Sequence, residues 1–244
     1  IIQVYSTVKT SLDFSPKYNY FGDITTSILT ATKLKGSITA LHFFAPYEPG
    51  HEDSITAIGL KPAQGAKVRI IRKQTDGTIV DYVEVPFEEA WNAEVDSQGN
   101  NGYRLDYYYD FSATGELGDD IIYLETDWEI QDTRTSKTQY GRDYDMTAGA
   151  IAYTNDDRYN DGHLHSSNNL LVAYARRAEA IQIKEVLSED GLTNLDGQEL
   201  QPGQTIRYRI TSTAVGEEGS LVNIKSVQDY LPEGLVASTT SDIQ

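Results

Sequence analysis

The chain of 244 residues has no cysteine. That excludes disulfide frameworks, cysteine metal sites and cysteine nucleophiles. Positive charge is scarce: 20 Lys and Arg face 37 Asp and Glu, a net charge of −17. Nucleic acid binding needs basic surface, so it is not expected here. Docking on an anionic membrane is disfavoured for the same reason. No run approaches the ~20 apolar residues of a membrane span, and the first residue is Ile1 with no signal peptide visible. There is one Met and there are two Trp, and long 3.6-period stripes are missing. No G-x-S-x-G elbow, P-loop or dinucleotide fingerprint occurs.

What is plentiful points to strands. The 17 Tyr, with many Val, Ile and Thr, favour pleated structure, and 19 Gly supply turns. An all-β protein is expected. Ile24 to Leu34 and Ile38 to Phe44 read as strands, followed by a loop at 45–54. Ala66 to Lys73, the Asp76-Gly77 turn and Ile79 to Val85 read as a hairpin. Pro86 to Val95 has the spacing of a short helix. Asn100 to Gly102 reads as a turn into Tyr103 to Phe111. In Ile121 to Ile130, alternation puts Ile122, Leu124, Thr126 and Trp128 on one face. Residues 131–169 read as a long polar excursion holding one short strand, Ala148 to Tyr153. Leu170 to Ala175 reads as a strand again, and a domain boundary is placed near 178. Residues 179–244 hold 11 acids and 4 bases, a net −7, which leaves −10 to the rest. The acidity is spread along the chain and reads as a solvating surface.

The tail has an ordered set of parts. Ile181 to Leu187 is a strand. Pro202-Gly203 turns into Thr205, Ile206, Tyr208 and Ile210, and Val227, Asp229, Leu231, Pro232, Gly234 and Leu235 follow. Upstream, Ser167, Asn168, Asn169, Ala173 and Ala175 precede Ile183 and Lys184. This order resembles the conserved-repeat β-sandwich domains of large Gram-positive surface proteins, including fimbrial and collagen-adhesin repeats. The resemblance covers residues ~165–244. It implies tandem Ig-like β-sandwich domains: a large one at 1–178 with long loops, and a second beginning at 179. A sandwich of this kind needs ~100 residues, so the second is expected to be incomplete and the chain a fragment. One residue looks extra near Lys225-Ser226, which suggests a bulge.

The resemblance also implies a chemistry. In such domains a first-strand Lys attacks an Asn of the last strand, and a carboxyl between them moves the proton. Burial favours the neutral, nucleophilic lysine. Here Lys184 is the candidate nucleophile and Asp229 the acid, with the Asn beyond Gln244. Strict alternation from Ile181 and Ile183 would put Lys184 on the opposite face. A matching bond in the first domain would join Lys9 to Asn168 or Asn169.

Other candidates come from the residues themselves. Asn155, Asp156, Asp157, Asn160 and Asp161 crowd oxygen donors before Gly162, a composition suited to Ca2+. Asp/Asn-rich loops are more often plain turns. His163 and His165 share the i, i+2 spacing of zinc ligands but lack a clear third. Asp106, Asp110, Glu125, Asp127 and Glu129 lie among aromatics, the raw material of glycosidase sites, yet no spacing stands out. Tyr140, Tyr144, Tyr153 and Tyr159 are candidate ligand-binding rings. The expected role is non-catalytic: an extracellular, surface-anchored adhesin binding host protein or glycan. The alternative is a structural spacer or pilus-like subunit packing against neighbouring domains or protomers.

Overall fold

Along β11 (Ile121–Ile130) every second side chain is buried: Ile122, Leu124, Thr126, Trp128 and Ile130. The expected alternation is realised, and the strand forms the middle of a sheet. The structure is a computed structural model. It describes residues 5–47, 59–95, 99, 101–105, 107–134, 136, 139–156, 158, 160, 162–217 and 220–237. The chain divides into two units, Ile1–Arg176 and Arg177–Gln244. Both are built of strands, and in the first unit two sheets enclose one core as a β-sandwich.

In the first unit one sheet has the order β1 (Thr7–Ser15), β3 (Ile24–Lys35), β11, β6 (Lys67–Lys73) and β7 (Ile79–Pro86). A short β5 (Leu60–Pro62) also pairs with β11. The second sheet has the order β10 (Tyr107–Asp110), β4 (Ala40–Tyr47), β12 (Gly141–Tyr153), β13 (His165–Tyr174) and β2 (Tyr18–Tyr20). All pairs are antiparallel except β13 with β2. The inner faces carry the core, including Leu29, Ala31, Leu41, Phe43, Ile70 and Leu124. Trp128 is fully buried, and its indole N–H donates to Ser27 Oγ at 2.9 Å, which satisfies the one polar atom it brings inside. Phe87 stacks on Trp91, and Trp91 meets Trp128 edge-on at 4.9 Å.

Three sequence expectations change. The Pro86–Val95 helix is a single turn, α1 (Phe87–Ala90), which passes directly into β8 (Trp91–Val95). Aromatic burial of Phe87 and Trp91 is met by that turn plus a strand. Asn101-Gly102 is not a turn; it begins β9 (Asn101–Leu105), the partner of β8. Nor is 131–169 one continuous loop with a single short strand. It supplies β12 and much of β13, the middle of the second sheet. Inward Ala148, Ala150 and Ala152 are buried, while Asp143 and Asp145 face out. The outward acids made a core strand look polar in sequence. β4 also runs on to Tyr47, past the expected loop start at 45.

The second unit pairs β14 (Glu179–Ser188) with β15 (Ile206–Val215) in antiparallel register. Pro202-Gly203 forms the expected turn, with Gln204 N–H on Gln201 C=O at 3.0 Å and Gly203 at φ 85°. Residues 222–232 are not a strand, so the expected bulge near Lys225 does not form. Among the described residues no strand pairs with that segment in a sheet.

Candidate functional site

Where β1 of one sheet approaches β13 of the other, a lysine, an asparagine and an aspartate meet. Asn169 shares a strand face with the buried Leu171. Its Nδ2 donates to Leu12 C=O at 2.9 Å and to Asp13 Oδ1 at 3.2 Å. Its Oδ1 accepts from Lys17 Nζ at 3.0 Å and from the Leu170 N–H at 2.8 Å. The amide is therefore polarised from both ends. Lys17 and Asn169 are half-buried and Asp13 is exposed. Lys17 sits in the link between β1 and β2, whose strands belong to different sheets. A second tie across this seam runs from Thr10 Oγ1 to His165 C=O at 3.2 Å.

This cluster differs from the sequence expectation. Lys9 lies on β1 opposite Thr32, exposed. Asn168 accepts from Thr147 Oγ1 at 2.9 Å. Lys17 takes the place expected for Lys9, and Asn169 is the asparagine it meets. No element before residue 24 was legible in sequence, so the strand end that delivers Lys17 had no marker.

In the second unit Lys184 Nζ donates to Asp229 Oδ1 at 2.7 Å and lies 4.0 Å from the centre of the Tyr208 ring. Their side chains are 34% and 30% exposed. The register explains the face. Lys184 stands opposite Ile210, and Val186 opposite Tyr208. Directly opposed residues share a face, so Lys184 lies with Ile206, Tyr208 and Ile210, the apolar side of β15. Alternation along β14 alone misjudged which of its faces matters.

The three described calcium candidates each take another partner. Asp156 pairs with Arg158, whose Nη2 is 2.6 Å away and whose bonds hold that carboxyl below its usual range. Asn155 Oδ1 accepts from Thr39 Oγ1, and Asn160 Oδ1 accepts from the Thr154 N–H. Asp157 and Asp161 lie outside the described residues. No group of three or more His, Asp or Glu suited to a metal occurs among the described residues. His165 opens β13, and His163 stands just before that strand.

The tyrosines scatter. Tyr144 is fully buried, with its hydroxyl 3.2 Å from Gln131 C=O, and so offers no surface to a ligand. Tyr140 is exposed and its ring faces Tyr174 at 5.6 Å. Tyr153 meets Tyr108 at 5.6 Å. Tyr159 lies outside the described residues.

The carboxylates of β11 are engaged. Arg69 bonds Glu125 at 3.1 Å and Asp127 at 2.8 Å, and the Asp127 carboxyl is held below the ordinary range by it. Glu129 is lowered by Lys61 at 2.9 Å. Asp110 is lowered by the Ser112 N–H. Asp106 lies outside the described residues.

No protein-family model and no curated protein matches the chain. Among solved structures it is similar to BcpA, the major pilin subunit of Bacillus cereus: 8% identity, 84% of this chain, 55% of that one, TM-score 0.40. The collagen adhesin CNA from S. aureus shows 8% identity over 88% of this chain and 53% of that one, TM-score 0.29. AvmM, which catalyses macrocyclization in alchivemycin A biosynthesis, shows 10% identity over 88% and 93%, TM-score 0.33. The chain spans about half the length of the two surface proteins. These are distant likenesses of β architecture, and the chemistry rests on this chain's own residues. No helix among the described residues is long and apolar enough to cross a membrane.

Proposed function

We propose that the chain is a non-catalytic stretch of an extracellular, wall-anchored bacterial surface protein, and that its first sandwich is closed by a Lys17–Asn169 isopeptide bond. The observation that carries this is the Lys17, Asn169 and Asp13 cluster across the seam of the two sheets. The chemistry balances without a further reagent. Lys17, once neutral, forms a C–N bond to Asn169 Cγ. The Cγ–Nδ2 bond breaks, and Nδ2 departs as ammonia with a proton relayed through Asp13. The Leu170 N–H on Oδ1 would steady the charge that builds there.

The bond would tie the β1–β2 link to the final strand of the unit. It would span 152 residues of sequence. By the chain-entropy treatment of cross-links, closing such a loop stabilises by about 5 kcal/mol. A sandwich so tied suits load along a stalk or fibre. In the second unit Lys184 and Asp229 are the corresponding lysine and carboxylate. The test is intact mass. The full chain should weigh about 17 Da less than its sequence, and Lys17→Ala and Asn169→Ala should each restore the full mass. An unshifted mass in folded protein would sink the proposal.

Within this class, presentation of a binding face is the reading favoured over a bare spacer. The outward rings of the second sheet support it.

A further inference from the structure

The second sheet is uneven on its outward side. In β4, Leu41 and Phe43 point into the core, so His42 and Phe44 point out. The register sets Tyr108 and Ile151 on either side of His42, and Gly149 opposite Phe44. In the next row Asp110 and Tyr153 flank Ala40. The rings touch in sequence across three strands. Phe44 and His42 are 4.4 Å apart, His42 and Tyr108 6.5 Å, and Tyr108 and Tyr153 5.6 Å. Tyr108 is 54% exposed on the edge strand, and the others are half-buried.

The solvent side of an antiparallel sheet is ordinarily polar. The other sheet of this sandwich follows that rule with outward ion pairs: Arg69 with Glu125 and Asp127, Lys61 with Glu129, Lys67 with Glu84. Among the described residues the aromatic rows hold no Lys, Arg or Glu, and Asp110 at the margin is their one acid. Cross-strand ring contacts do contribute locally, each ~0.2–1 kcal/mol. Packing alone, though, does not need rings left at the surface of an edge strand.

We propose that this face of β10, β4 and β12 is a docking platform for a neutral saccharide. The charge balance selects the partner. A chain of net −17 repels anionic polymers, and a patch whose described residues bring one carboxylate offers little to a polycation. A sugar ring presents an apolar C–H face to a stacked aromatic and hydroxyls at its rim. Tyr108 and Tyr153 supply both ring and hydroxyl, His42 a ring nitrogen, and Asp110 an acceptor.

The inference is independent of the covalent bond proposed above. The experiment is saturation-transfer NMR on the full chain with neutral hexaoses of glucose, galactose and mannose, and with hyaluronan as the anionic comparison. Transfer to sugar C–H protons of at least one neutral hexaose is expected. Tyr108→Ala should weaken it tenfold or more, while Tyr108→Phe, which keeps the ring, should stay within about threefold. Tyr18→Ala, an exposed tyrosine on another strand, should change nothing. The idea is overturned if no neutral hexaose binds folded protein at millimolar concentration. It is equally overturned if binding survives Tyr108→Ala and Tyr153→Ala, or if hyaluronan alone binds.

Discussion

Replacing Arg72 by Met should destabilise the first unit more than any surface change. The side chain is 4% exposed, near the end of β6. Its Nε bonds Asp120 at 2.7 Å, Nη1 bonds Thr114 Oγ1 and Gly115 C=O at 3.1 Å each, and Nη2 bonds Glu116 C=O at 2.6 Å. The guanidinium also lies 5.2 Å from the Phe111 ring centre. It thus fixes the segment that follows β10, next to the proposed platform. Met fills much of the volume but leaves Asp120 without its counter-charge and three acceptors without donors. Breaking such a pair costs about 3–5 kcal/mol. In a unit of this size that is a fall in Tm of roughly 6–20 °C. Urea unfolding followed by tryptophan fluorescence reads the loss directly. Arg72→Met with Asp120→Leu should recover part of it, because the stranded charge goes too. A loss under about 1 kcal/mol, or a double variant no better than the single one, would refute the reasoning.

Three other outcomes follow from the electrostatics. Asp127 is held below its usual range by Arg69, so its stabilising share is present above the unfolded value, near pH ~4, and is lost as pH falls through the lowered folded value. Asp127→Asn should flatten the acid limb of the urea midpoint between about pH 5 and 2, and an unchanged limb would count against it. Tyr109 is pushed up by burial and by its hydrogen bond to Asp81. Its contribution is whole below pH ~10 and disappears as pH climbs through the raised value; a spectrophotometric titration should show one tyrosine ionising only with unfolding, and Tyr109→Phe should remove that step. Lys184 and Asp229 are each about a third exposed, so Asp229→Ala should cost no more than ~1 kcal/mol, measured by urea unfolding of the full chain.

The strands that could be read in the sequence were those whose alternation is apolar against polar. Ile122 to Ile130 is the clearest, and the Asp76-Gly77 hairpin and Ile181 to Leu187 also hold. β12 escaped because its inward residues are largely alanine and its outward ones include Asp143 and Asp145, so its hydrophobic contrast is weak. β1 and β2 escaped because Lys9, Ser11, Asp13 and Ser15 face out between single buried residues. That omission hid Lys17. Asn169 was singled out in sequence, but its partner depends on which edge strands two different sheets bring together, a non-local fact with no local marker. The Lys184–Asp229 contact was legible from motif order, while its face emerged only from the register with β15.

Trypsin can locate the proposed bond between Lys17 and Asn169. Lys17 in an amide is no longer cleaved. One branched species is expected, joining residues 10–33, uncut at Lys17, to residues 159–176, lighter than their sum by about 17 Da. Tandem mass spectrometry should place the branch at Lys17 and Asn169. Separate peptides 10–17, 18–33 and 159–176, with no branched species from folded protein, would contradict the account.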